Sequence, residues 1–154
     1  MLRKRKVTFV CVLDKKGWSF EGLTRRVFDQ KQAISELIAE KPCLVGRRTQ
    51  ELTGWKGRNL WVLTSSQEWS RNRVRVAHTN GEFLTSTEGD FYVLGGISVF
   101  NKLAKYVDEY MMWTVNSREA TEEFVRFTPS KWKPAEYRSD GAWTYARLKK
   151  EPDE

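Results

Sequence analysis

Histidine and cysteine are nearly missing from this sequence: its 154 residues include one histidine, His78, and two cysteines, Cys11 and Cys43. A zinc site needs more such ligands than the chain can bring together, so a metal-free protein is expected. The two cysteines lie far apart within apolar runs. They read as free buried thiols, with no disulfide framework, which fits a reducing compartment. Long apolar stretches are missing too: none approaches the ~20 residues a membrane span needs. The charged start lacks the apolar run of a secretory signal. The expectation is a soluble, cytoplasmic protein. Internal repeats, low-complexity tracts and linkers are also lacking, so residues 1–154 are expected to form a single domain.

Apolar residues make up 40% of the chain and aromatics 13%, a globular composition long enough to enclose a core. The net charge of +7 favours an anionic partner, either a phosphate-bearing cofactor or nucleic acid. Part of that charge is Arg3, Lys4, Arg5 and Lys6, which read as a solvated, flexible end at residues 1–6. Residues 150–154 are expected to be flexible as well.

Val7 to Leu13 (VTFVCVL) is continuously apolar and reads as a strand buried on both faces. Trp18 to Thr24 reads as a loop. From about Arg25 to Glu40, Val27, Ala33, Ile34, Leu37 and Ile38 recur at helical spacing, with Thr24 as N-cap and Pro42 as stop. Further buried strands are expected at Cys43–Val45, Leu60–Thr64, Arg73–Ala77, Phe91–Leu94 and Tyr110–Val115, with a helix over Ile97–Tyr106. Between Val76 and Phe91 the apolar periodicity is too sparse to indicate a helix. Phe124–Phe127 and Trp143–Leu148 read as antiparallel strands. Strands alternating with helices imply a central, mostly parallel sheet with helices on both faces and an antiparallel C-terminal edge.

Two strand–helix junctions carry chemistry: CLVG-RRT at Cys43–Thr49 and YVL-GG-ISVF at Tyr92–Phe100. Free backbone N–H groups and the helix dipole converge on anions at such places. Arg47 and Arg48 add fixed positive charge, and Thr49 and Ser98 add hydroxyl donors. Taken singly, a Gly-Gly pair is equally a tight turn, and an arginine pair is equally a solvated surface. Neither junction matches the GxGxxG fingerprint or the P-loop pattern.

In order and spacing, these pieces resemble the dihydrofolate reductase family. The resemblance rests on Lys41-Pro42-Cys43-Leu44-Val45-Gly46-Arg47-Arg48-Thr49, then Gly57-Arg58 before Asn59-Leu60-Trp61-Val62-Leu63-Thr64-Ser65-Ser66, then Phe91 to Phe100 with Gly95-Gly96. It runs from Val7 to about Leu148 and implies that family's three-layer α/β fold with NADPH as cofactor. Under it, Gly46, Arg47, Arg48 and Thr49 would hold the 2′-phosphate and pyrophosphate, and Leu63, Thr64 and Ser65 would flank the adenosine. Gly95 and Gly96 match the family's cis Gly-Gly link. Gly96, Ile97, Ser98 and Val99 would face the pyrophosphate, and Val10 the nicotinamide. Phe9, Lys31, Ile34, Arg58 and Leu94 match substrate contacts, Arg58 as the grip on the folate α-carboxylate.

The proton-donating side departs from the family. Aligned without gaps, Gln30 stands where a buried carboxylate should bond the pterin, and Ile34 replaces an aromatic. A glutamine cannot ionise, although its amide can bond a heterocycle. Asp29 is one residue away, a rotation of ~100° on a helix, and reaches the pocket if the preceding loop shifts register. Asp29 and Gln30 both remain candidates. Lys31 replaces an apolar residue, and Trp113-Thr114 stands where the family has a threonine that bonds the acid. The resemblance implies reduction of 7,8-dihydrofolate, or a related pterin, to its tetrahydro form; the oligomeric state stays open, with a monomer favoured. A riboflavin-pathway type of reductase, a non-catalytic protein that kept the fold, and a nucleic-acid binder are the alternatives. Of these, nucleic acid is the least expected partner. The short, basic, divergent sequence suits a phage-encoded enzyme.

Overall fold

The computed structural model describes residues 5–13, 31–115, 132–139 and 143–150. The strands are β1 (Val7–Leu13), β2 (Cys43–Gly46), β3 (Leu60–Leu63), β4 (Arg75–Ala77), β5 (Phe91–Gly95), β6 (Glu109–Val115), β7 (Trp132–Ser139) and β8 (Trp143–Lys150). The helices are α1 (Lys31–Glu40), α2 (Arg47–Thr53), α3 (Asn80–Ser86) and α4 (Ile97–Leu103), the last continued by a 3-10 turn at Ala104–Tyr106. All eight strands join one sheet in the order β4-β3-β2-β5-β1-β6-β8-β7. Pairings from β4 to β6 are parallel, while β6–β8 and β8–β7 are antiparallel.

The helices lie on both faces, as side-chain parity along the strands requires. Tyr92 pairs with Cys43, and both turn toward α1: the Tyr92 hydroxyl donates to Glu40 and the Cys43 thiol lies 3.8 Å from the Leu37 carbonyl. Val7 pairs with Phe91, one residue out of phase, on the opposite face. There Phe91 packs against Phe83 of α3 at 5.1 Å between ring centroids, and Phe9 against Phe100 of α4 at 4.7 Å. Ile34, Leu44, Leu60 and Phe83 are fully enclosed. Cys11 and Cys43 are both free and buried, and burial pushes both thiols up, which keeps them protonated.

Several local expectations change. The segment between Val76 and Phe91 does hold a helix, α3, although its only buried residue is Phe83. Capping builds it rather than amphipathicity. The Thr79 hydroxyl accepts from Glu82 N at 3.0 Å, and the Glu82 carboxylate reaches back to His78 N at 2.9 Å. The helix expected over Ile97–Tyr106 tightens to 3-10 geometry at Ala104. Strand β7 was not anticipated. Its sequence WKPAEYRS carries a proline where the register shifts, as suits an edge strand. The expected Trp18–Thr24 loop, the first part of the long helix and the Phe124–Phe127 strand lie outside the described residues.

The basic start is not simply solvated. The Arg5 guanidinium bonds the Gly89 carbonyl, the Leu84 carbonyl and the Thr87 hydroxyl, and stacks 4.7 Å from the Phe91 ring centroid. Lys6 pairs at 2.8 Å with Glu109, which also receives Arg147 from β8 at 2.6 Å. Burial alone would raise the Glu109 carboxyl. The bonds and charges of Lys6 and Arg147 outweigh it and hold the group below the usual carboxylate range.

Candidate active site

Parallel strands end together, so β2, β3 and β5 deliver Gly46, Leu63 and Gly95 to one rim of the sheet. From there β2 leads toward β3 on one side, while neighbouring β5 leads across β1 to β6 on the other. Adjacent chains leaving in opposite directions open a crevice, the usual ligand position in open α/β sheets. The two glycine junctions therefore meet in space. A Cβ on Gly46 would lie 3.2 Å from Val99 Cγ2 and 3.6 Å from Gly96 N, and a Cβ on Gly96 would lie 2.8 Å from Thr49 Oγ1. The Gly95–Gly96 peptide is cis, and Gly95 has a φ of 118°, a conformation that side chains disfavour. Neither α2 nor α4 has a side-chain N-cap, so their first N–H groups are left to other acceptors. The result is a glycine-floored cradle with Thr49, 6% exposed, in its wall.

Beside the cradle lies a charged lip. Arg47 Nε donates to Glu51 at 3.0 Å, and Arg71 stands 3.6 Å from the other Glu51 oxygen. The Arg47 guanidinium sits 5.8 Å from the Trp69 ring centroid. After β3, Thr64 N bonds the Ala77 carbonyl, the Thr64 hydroxyl accepts from Ser66 N at 3.2 Å, and His78 Nδ1 donates to the Thr64 carbonyl at 2.9 Å. These bonds hold the Leu63–Ser65 segment on the same rim, with Ser65 exposed. Arg48 and Ser98 are exposed and Val99 is buried; for Ile97 only the backbone position is described. Glu51, Trp69 and Arg71 belong to this cluster although sequence reasoning did not single them out for it. The i,i+4 spacing of Arg47 and Glu51 was the available signal.

The remaining candidates divide. Val10 is 1% exposed, and its register puts it in phase with Tyr92, on the α1 face. Ile34 of α1 is wholly enclosed. Phe9 faces the other way, edge-on to Tyr110 at 5.7 Å as well as against Phe100, so it does not join Ile34. Leu94 is fully buried at the end of β5. Arg58 is exposed at the entry to β3, next to the end of α1: Gly57 abuts Ile38, and Asn59 donates to the Ile38 and Ala39 carbonyls. Lys31 begins α1, and Thr114 pairs with Leu13 and Thr144. Asp29 and Gln30 lie outside the described residues.

Among the described residues, no group of three His, Cys, Asp or Glu could hold a metal ion, and no helix is long and apolar enough to cross a membrane. No curated protein matches the chain. A solved dihydrofolate reductase from Enterococcus faecalis, complexed with NADP(H) and RAB-propyl, is similar in fold, with a TM-score of 0.67. It is 19% identical and the match covers 97% of this chain and 98% of that one. The family model described as dihydrofolate reductase matches residues 21–146. With the glycine-floored crevice at the rim of this sheet, that match shows that the chain belongs to the dihydrofolate reductase family.

Proposed function

We propose that the protein is an NADPH-dependent reductase that converts 7,8-dihydrofolate, or a related pterin, to its tetrahydro form. The observation that carries this reading is the meeting of the two glycine junctions, where Gly96 lies against Thr49 and Gly46 against Val99. A cradle that a single Cβ would fill suits the close approach of a pyrophosphate backbone. In this reading Arg47, Arg48 and Thr49 hold phosphate oxygens, and Gly95, Gly96, Ile97, Ser98 and Val99 supply the opposite wall. Leu63, Thr64 and Ser65 flank the adenosine, and Val10 lies beneath the nicotinamide. NADPH, when bound, supplies the hydride.

The chain's own residues must then hold the substrate and deliver a proton. Arg58, exposed beside the end of α1, suits the carboxylate of a folate tail. Lys31, Ile34, Phe9 and Leu94 are the further substrate contacts of this reading, the last three requiring the core around them to open. Asp29, or water held by Gln30 and Thr114, carries the proton. The glutamine at the family's acid position favours a second reading, a non-catalytic protein that kept the fold and the cofactor site.

A calorimetric titration with NADPH, followed by a dihydrofolate-dependent absorbance assay, separates the two. Binding with turnover is expected. Binding without turnover selects the non-catalytic reading, and no binding overturns both. Asp29→Asn should abolish turnover near neutral pH while leaving NADPH affinity intact. An unchanged rate would remove Asp29 from the mechanism.

A further inference from the structure

The lip beside the cradle contains more charge than a single phosphate contact explains. Two guanidinium groups from different elements, Arg47 of α2 and Arg71 of the segment after β3, converge on the single carboxylate of Glu51. Each carboxylate oxygen serves one arginine, at 3.0 Å for Arg47 and 3.6 Å for Arg71. The second distance is too long for a good hydrogen bond. All three side chains are roughly half-exposed, so water screens the attraction and the pairs are weakly held. A half-buried indole, Trp69, borders the cluster within cation–π range of Arg47.

We propose that Arg71 completes, with Arg47, a phosphomonoester subsite at the adenosine end of the crevice, and that Glu51 is the carboxylate this phosphate displaces. Glu51 thereby sets how strongly the 2′-phosphorylated cofactor is preferred over the unphosphorylated one. This rests on the cofactor reading above and adds to it a second cation and an internal competitor.

The chemistry favours the exchange. A phosphate monoester is close to a dianion at neutral pH, with three strong acceptor oxygens, whereas Glu51 offers one charge and two oxygens. Two planar forks can each present a pair of N–H groups to one phosphate. Trp69 adds a flat apolar surface beside the arginines, suited to an aromatic base attached to the same sugar. The position fits as well. Trp69 and Arg71 follow β3, whose last residue Leu63 is level with Gly46, so the lip and the cradle lie on one rim. Once the phosphate is bound, the Glu51 carboxylate is left near a like charge. Its removal should therefore tighten binding of the phosphorylated ligand, whereas a purely structural i,i+4 pair would make no such difference.

The test uses titration calorimetry on wild type, Glu51→Gln and Arg71→Gln, with NADPH, NADH, adenosine 2′,5′-bisphosphate and AMP as probes. Thermal melts of each preparation confirm folding, which these exposed substitutions should preserve. Arg71→Gln is expected to weaken NADPH and the bisphosphate by about tenfold, the size of one lost charge-assisted contact, while NADH and AMP stay within about twofold. Glu51→Gln is expected to strengthen NADPH and the bisphosphate by severalfold and leave NADH unchanged. Equal shifts for both cofactors in Arg71→Gln, or weaker NADPH binding in Glu51→Gln, would overturn the assignment while the cofactor reading stands. Wild type that binds neither cofactor overturns the reading and the subsite together.

Discussion

An alanine at Gly96 places a methyl group where the two halves of the crevice touch. Its Cβ would lie 2.8 Å from Thr49 Oγ1, closer than a carbon and an oxygen tolerate. Thr49 has little room to retreat, because it is 6% exposed and sits in the first turn of α2, where its carbonyl accepts from the Thr53 hydroxyl at 2.8 Å. Overpacking of this kind costs about 1–3 kcal/mol. In a domain of this length that corresponds to a fall in Tm of very roughly 2–12 °C. The strain has one named partner, so it should be relieved by removing that partner's hydroxyl. Urea unfolding of Gly96→Ala, Thr49→Ala and the double variant, all without ligand, should give a favourable coupling of about 1–2 kcal/mol. The rescued double variant keeps its methyl in the cradle and should still bind NADPH at least about tenfold more weakly than Thr49→Ala alone. If Gly96→Ala unfolds within about 0.5 kcal/mol of wild type, or if Thr49→Ala fails to restore it, the contact between the junctions is not as described.

Glu109→Gln should destabilise the protein by about 1–3 kcal/mol at neutral pH, since it removes the charge that Lys6 and Arg147 share. The folded carboxyl is depressed, so its contribution is fully present above the unfolded value near pH 4.3 and is lost as pH falls through the folded value. The gap between wild type and variant in urea melts should therefore close on acidification below the ordinary glutamate range. A gap that ignores pH would show that the clamp acts by shape alone. Thr79→Ala should cost about 1 kcal/mol by removing the cap of α3. Thr79→Ser should cost much less, and equal losses from the two would deny the hydroxyl its role.

Where apolar pattern alone decides structure, the sequence was legible. VTFVCVL, CLVG, LWVL and FYVLG became neighbouring parallel strands because runs buried on both faces fit the middle of such a sheet. Elements held by other forces were not legible in that way. In α3 only Phe83 is buried, with Leu84 partly so, and the Thr79–Glu82 box that caps it is a four-residue signal easily lost among polar neighbours. Strand β7 alternates weakly because an edge strand has one partner and much solvent. At the site, the glycines and Arg47 were legible because backbone approach and phosphate chemistry leave few residue choices. Trp69 and Arg71 were not, since nothing local says that position 71 returns to position 51, and Glu51 offered only its i,i+4 spacing from Arg47. The side that Phe9 takes was not legible for a related reason: one residue of register decides which face of the sheet a strand residue serves, and Phe9 packs against Phe100.

The place of β1 has a consequence for how the chain is made. It is made before the other described strands, yet in the finished sheet it stands between β5 and β6. The bonds that anchor its start run from Lys6 to Asp90, 84 residues later, and from Val7 to Asp108, 101 residues later. At about 5–20 residues per second, a ribosome leaves VTFVCVL without its neighbours for several seconds or longer. The central seam of the sheet therefore cannot close until β5 and β6 have been made. Until then, this continuously apolar strand needs protection from other chains.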